Sequence, residues 1–224
     1  MCGRYTLTVT LEELMLHFYS NVSSSVAYQP RFNISPSQMV LAVIHDGHEN
    51  RIGPLKWGLL PSWAKDEKTM MTNARAETLK DKPAFKVPFA RKRCLIPADS
   101  FYEWKQTNEG KQPMRVLLKS EKMFSMAGLY DTWIAPDGRK VSSCTIITTM
   151  PNSLVADIHN RMPVILTPQN EAVWLNREIQ DMESLLPLLK PFPTEEMKAY
   201  PVSPMVGNAK NDVPECIQEV MAGG

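Results

Sequence analysis

The sequence predicts an α+β fold: a mostly antiparallel β core of open, barrel-like sheets with peripheral helices, in a single domain over residues 1–224. Short β-branched, apolar runs recur between Gly, Pro, Asn and Asp turns. Helical stretches occur at intervals, without the strand–helix alternation of a parallel sheet. No Gly/Ser linker, low-complexity tract or repeat divides the chain, which is long enough to bury most of its apolar surface without covalent staples.

Residues 3–9 alternate, with Tyr5, Leu7 and Val9 on one side, and read as a short strand leading from the terminus into a sheet. Thr10 with Glu13 forms a capping box for a helix reaching about Tyr19, whose apolar face is Leu11, Leu14, Met15 and Phe18. Residues 21–36, ending in Arg31-Phe32-Asn33-Ile34-Ser35-Pro36, are expected to be loop. Residues 39–45 are β-rich, Asp46-Gly47 is a turn, and 51–57 is the return strand. Trp57 to Trp63 is a Gly/Pro-broken aromatic loop, a poor core element. The Trp63 indole suits stacking on a nucleobase, whereas Trp57 reads more as an anchor to the core.

The polar segment Thr72-Asn73-Ala74-Arg75-Ala76-Glu77 is expected to open a basic helical region, broken at Pro83 and Pro88, that ends at Arg93. Asn73 offers a donor and an acceptor; Arg75 offers a planar fork suited to phosphate. Residues 94–97 read as a buried strand. In Asp99-Ser100-Phe101-Tyr102-Glu103-Trp104, a strand would put Phe101 and Glu103 on one face and Tyr102 and Trp104 on the other. A carboxylate in such apolar company trades protons near neutrality; a surface salt bridge is the alternative.

Residues 114–119 and 122–130 are expected strands joined by a Ser120-Glu121 turn, and 143–149 is a strong β run entered from Asp137-Gly138. Residues 152–157 form a helical turn delivering Ile158-His159-Asn160-Arg161-Met162-Pro163, which sets His159 among polar groups as an acid/base. Residues 168–175, capped by Thr167, and 181–189 are expected helices. Residues 201–211 are an extended tail and 213–221 a last short helix.

The four cysteines, Cys2, Cys94, Cys144 and Cys216, have no CxxC pairing or companion histidine spacing, so neither a zinc site nor any other cofactor is expected. No signal peptide or long apolar run is present, which predicts a cytoplasmic, reduced, membrane-free protein. Residues 51–119 hold fifteen Lys/Arg against seven Asp/Glu, whereas 168–224 hold four against nine. The basic middle suits a polyanion, and a lysine-rich solvated surface is the alternative.

Met1-Cys2-Gly3-Arg4-Tyr5 carries the reactive chemistry. A small second residue permits removal of Met1, which would leave Cys2 with a thiol and an α-amine on adjacent carbons. Their ordinary pKa values, ~8.5 and ~8, allow both to react near neutrality. Such an aminothiol condenses with an aldehyde and closes to a thiazolidine.

Four islands, Met1-Cys2-Gly3-Arg4, Asn73-Ala74-Arg75-Ala76-Glu77, Phe101-Tyr102-Glu103-Trp104 and Asp157-Ile158-His159-Asn160-Arg161-Met162-Pro163, together resemble the SRAP (SOS response-associated peptidase) family over essentially the whole chain. The resemblance implies a β-rich α+β fold. It also implies covalent capture of abasic sites in single-stranded DNA, shielding them during replication, by a monomer associated with the nucleoid when crosslinked. Cys2 would be the nucleophile, Asn73 would orient the ring-opened sugar, and Glu103 and His159 would transfer protons. Arg4, Arg75 and Arg161 resemble phosphate contacts, Pro36, Trp63 and Trp104 the wedge and stacking positions, and Thr148 a polar site residue. Asn160 departs from the commoner Asp, which puts the polarisation of His159 in question. A self-processing N-terminal cysteine peptidase and a non-covalent DNA-damage binding module are the competing readings.

Overall fold

The computed structural model describes residues 2–18 and 28–221, and the backbone of 21–22; Met1, the expected helix end at Tyr19, and residues 23–27 of the expected loop lie outside them. Along the chain, β1 (Tyr5–Leu7) is followed by α1 (Leu11–Phe18), β2 (Asn21–Val22), β3 (Arg31–Ile34), β4 (Met39–His45), β5 (Asn50–Trp57) and β6 (Asn73–Arg75). Then come α2 (Pro83–Arg91), β7 (Arg93–Ala98), β8 (Ser100–Thr107), β9 (Gly110–Leu118), β10 (Phe124–Ile134) and β11 (Lys140–Thr149). The described chain ends with α3 (Ser153–Ala156), β12 (Met162–Pro163), β13 (Ile165–Leu166), α4 (Pro168–Leu175), α5 (Met182–Leu185), β14 (Met197–Pro201) and short 3-10 turns.

One sheet runs β14-β9-β8-β1-β3, antiparallel throughout. The other runs β12-β11-β10-β7-β4-β5-β2, and its β5 also pairs in parallel with β11. That last pairing closes β4, β7, β10, β11 and β5 into a barrel-like circuit, as the sequence predicts in outline. Cys2, Tyr5 and Phe101 of the first sheet share one core with Leu95, Leu129 and Ile146 of the second. Tyr5 meets Trp57 edge-on at 5.3 Å, so the N-terminal strand is packed on the barrel by an aromatic pair.

The helix starts follow their local chemistry. Thr10 and Glu13 exchange the reciprocal bonds of a capping box (Thr10 N–H to Glu13 Oε2, 2.6 Å; Glu13 N–H to Thr10 Oγ1, 3.2 Å). Thr167 and Asn152 cap α4 and α3 in the same manner, each accepting a backbone N–H three residues on.

Several expectations are corrected by tertiary pairing. The expected loop contains β3, because Asp212 receives the N–H groups of Phe32 and Asn33 (2.6 and 2.9 Å) while β3 pairs with β1. Asn73 to Arg75 is a strand, drawn into parallel register with Ile146 to Thr148. Pro83 opens α2 instead of breaking it, since the first helical turn has no N–H partner to lose, and Pro88 is accommodated inside that helix. The Ser120-Glu121 turn does not make a hairpin: β9 pairs with β8 and β14, whereas β10 pairs with β7, β11 and β13. The two expected C-terminal helices shrink to α5 with a following 3-10 turn and to the 3-10 turn Pro214–Ile217. The strand β14, which no local pattern announces, pairs with β9 just ahead of the expected extended tail and shares only Pro201 with it.

Candidate functional site

In the first sheet Tyr5 lies opposite Phe101, and the Tyr102 N–H donates to the Arg4 carbonyl at 2.9 Å. Followed back along the chain, this antiparallel register carries Cys2 towards the part of β8 that holds Glu103 and Trp104. Both Cys2 and Glu103 are inside, at 0% and 2% exposure, which removes the surface salt-bridge reading of Glu103. Burial pushes the Cys2 thiol well above its ordinary range, and the nearby Glu103 carboxylate pushes the same way. Glu103 is itself raised by burial to about 7. The resting thiol is therefore protonated, and beside it stands a carboxyl able to take or give a proton at neutral pH.

His159 reaches this carboxyl from the other sheet. The turn after α3 is tightened by the His159 N–H, which donates to the Val155 carbonyl at 2.7 Å. The ring then lies with Nδ1 3.8 Å from Glu103 Oε1. The Arg161 N–H donates to Nδ1 at 3.1 Å, and the Arg161 carbonyl sits 3.3 Å from the same nitrogen. A neutral ring accepts from the N–H and keeps its proton on Nε2; a protonated ring donates from Nδ1 to the carbonyl. The ring has a backbone partner in either state. Burial lowers its pKa, which favours the neutral form. Asn160 is exposed and its side chain makes no hydrogen bond among the described residues, so the carboxylate facing His159 is Glu103 and not the side chain at position 160.

Arg161 is only 8% exposed. Its guanidinium grips Glu77 through two bonds, Nη1 to Oε1 at 2.7 Å and Nη2 to Oε2 at 3.0 Å, and Nη2 also donates to the Thr148 carbonyl at 2.6 Å. Thr148 lies fully buried beneath it, opposite Arg75 in the β6–β11 register. Arg75 itself is exposed, and its guanidinium makes no hydrogen bond or ion pair among the described residues. Asn73, two residues earlier, has a buried Nδ2 with no hydrogen-bond partner among the described residues, a donor held open at a cost.

The other residues singled out from the sequence occupy different settings. Arg4 donates to Asn33 Oδ1 (2.9 Å) and to the carbonyls of Val206 and Gly207 (2.6 and 2.9 Å), so it fastens the C-terminal segment to β1. Asn33 donates in turn to the carbonyls of Val206, Asn208 and Asn211. Trp104 is half-buried against the cluster of Tyr102, Val202 and Val206, Pro36 is half-exposed beyond β3, and Trp63 stands 59% exposed. The geometry thus joins Cys2, Glu103, His159, Arg161 and Thr148 in one connected group; Trp63 and Arg75 stand outside this bonded network. Glu77 and Asn33 acquire roles that no local pattern announces, since each depends on a partner far along the chain. Among the described residues no three His, Cys, Asp or Glu side chains are placed to hold a metal, and no helix is long and apolar enough to cross a membrane.

A family profile described as SOS response associated peptidase (SRAP) matches residues 1–209. The chain belongs to the SRAP family. This SRAP chain is 50% identical over 224 residues to the abasic site processing protein YoqW of Bacillus subtilis, covering 97% of the chain and 99% of that relative. It is 34% identical over 233 residues to the mouse abasic site processing protein HMCES, covering 85% of this chain and 65% of that protein. A crystal structure of a Bacteroides thetaiotaomicron protein superposes with a TM-score of 0.87 at 29% identity, covering 98% of the SRAP chain and all of its counterpart.

Proposed function

We propose that this protein processes abasic sites in single-stranded DNA, capturing the open-chain sugar on Cys2 as a thiazolidine. The observation that carries the proposal is the buried Cys2–Glu103 pair with the His159 ring 3.8 Å from the carboxyl. YoqW and HMCES, both named as abasic site processing proteins, support it by likeness.

With the thiol held protonated, the first nucleophile is the α-amine exposed by loss of Met1. Its nitrogen adds to the sugar C1′ aldehyde. His159 supplies the proton to the departing oxygen and regains one from the nitrogen, water leaves, and an imine remains. Glu103 takes the thiol proton, the sulfur adds to C1′, and the proton passes to the nitrogen. One water is released in all, with no net oxidation or reduction. Ring closure consumes the imine that would otherwise promote β-elimination and strand breakage, so the product is a shielded lesion.

Exposed Arg75 supplies attraction to the phosphate backbone, and exposed Trp63 a platform for an unpaired base, so binding is salt-sensitive and indifferent to sequence. Incubation with single-stranded DNA carrying one abasic site tests the proposal. Wild type gives an adduct that survives denaturation and Cys2→Ala gives none, while Cys2→Ser gives an imine trapped by borohydride. An equal adduct with Cys2→Ala overturns the thiazolidine, and loss of peptide cleavage alone in these variants favours the peptidase reading.

A further inference from the structure

Trp63 stands 59% exposed, yet the backbone on either side of it is firmly held. It lies in the tight turn Pro61-Ser62-Trp63-Ala64, closed by the Ala64 N–H donating to the Pro61 carbonyl at 2.8 Å. Two side chains of β10 clasp the residues immediately before and after it. Asp131 Oδ2 accepts the Ser62 N–H at 2.9 Å, and the Trp133 Nε1–H donates to the Ala64 carbonyl at 2.6 Å. Residues two apart on a strand share a face, and Ser143, the cross-strand neighbour of Asp131 on β11, adds a third bond by accepting the Leu60 N–H at 2.9 Å. Asp131 and Trp133 are nearly enclosed, at 4% and 3% exposure, and Lys92 Nζ donates to the other Asp131 oxygen at 2.6 Å. Leu60, Ala64, Trp133 and Ala135 form a small apolar cluster of their own, apart from the main core. An indole on a slack loop would fold down onto neighbouring apolar surface; the clasp denies it that freedom.

We propose that Asp131 and Trp133 are positioning residues that hold the Trp63 indole outward as a ready-made stacking surface for an unpaired base. For its role in binding this rests on the reading of Trp63 given above, and not on the Cys2 chemistry. Ordering a side chain before the ligand arrives removes a cost that binding would otherwise carry. A backbone N–H bonded to a buried carboxylate suits the task, because a charge-assisted bond is short and strong.

Affinity for undamaged single-stranded DNA, measured by fluorescence anisotropy at fixed salt, tests the proposal with Asp131→Ala, Trp133→Phe and each of them combined with Trp63→Ala. Asp131→Ala deletes a negative charge and frees the Lys92 cation, so electrostatics alone would tighten binding. Positioning instead predicts binding about threefold to tenfold weaker. Trp133→Phe changes no charge and keeps a ring while losing the N–H, and should weaken binding in the same sense. Neither substitution should weaken binding further once Trp63 is alanine, because the effect travels through the indole. Nitrogen-15 relaxation of the Trp63 indole, assigned by its absence from Trp63→Ala and recorded without DNA, should show increased fast motion in both single variants.

Unchanged indole motion in the folded variants overturns the proposal, as does tighter binding by Asp131→Ala, or a weakening that persists in the Trp63→Ala background. If Trp63→Ala binds as tightly as wild type, the stacking role fails instead, and the indole relaxation still decides whether Asp131 and Trp133 hold the ring. Should Asp131→Ala not fold, Trp133→Phe carries the same readouts.

Discussion

His159 Nδ1 stands 3.8 Å from Glu103 Oε1, although one residue follows the barrel strand β11 and the other lies in the first sheet. This contact therefore exists only when the two sheets are packed together. Burial pushes the two groups in opposite directions, Glu103 up to about 7 and His159 down, and in each case favours the neutral form.

Capture should accelerate as pH rises through about 7, where Glu103 ionises and can accept the thiol proton, and Glu103→Gln should abolish that limb. The stability effect has the opposite sense. Between the ordinary 4.5 and about 7 the folded state binds more protons than the unfolded one, so this group lowers stability as pH rises across that window. Glu103→Gln is expected to be inactive and, at pH 8, more stable than wild type by at most about 3 kcal/mol. Denaturant titrations at pH 5 and 8, alongside rates of adduct formation, check both signs.

Asn73→Ala should separate function from stability. Its Nδ2 is a buried donor without a protein partner among the described residues, so removing it should leave stability unchanged or raise it by about 1 kcal/mol. Adduct formation should nevertheless fall. Urea unfolding midpoints and single-turnover rates measure the two effects.

Trp63 and Trp57 should answer truncation in opposite ways. Trp63→Ala is expected to fold normally and to bind undamaged single-stranded DNA about tenfold or more weakly, through loss of a stacking surface. Trp57→Ala removes a fully buried ring packed on Tyr5 and should cost about 3–5 kcal/mol of stability. Fluorescence anisotropy and thermal melts distinguish them.

Asn33→Ala should loosen the C-terminal segment. Asn33 is fully buried, bonds three carbonyls there and receives Arg4, and its loss strands those groups at a cost of about 3 kcal/mol. Hydrogen exchange should quicken around residues 204–216 and at the Arg4–Tyr102 backbone pairing while the barrel strands stay protected.

Local signals told the truth where the deciding partners were near in sequence. The Thr10–Glu13 capping box, the Thr167 cap and the β-rich run of β4 each need only a few residues, and each formed as read. Residues 31–34 and 73–75 depart from their local pattern because what makes them strands lies elsewhere: β1 and Asp212 for the first, β11 for the second. The same division holds at the site. A cysteine beside the start, a carboxylate among aromatics and a histidine in a polar turn were visible as residue types. The inward grip of Arg161 on Glu77 and the latch of Asn33 are long-range facts that no short window contains.

β1 occupies a central place between β3 and β8, although it is the first strand to be made. Its β8 partner begins only at Ser100, so at about 5–20 residues per second the terminus waits roughly 5–20 s on the ribosome before that neighbour exists. Until then the segment that carries Cys2, fully enclosed in the folded protein, stands unpaired. The order of synthesis thus leaves the Cys2 segment open first, and folding then stores it beside Glu103.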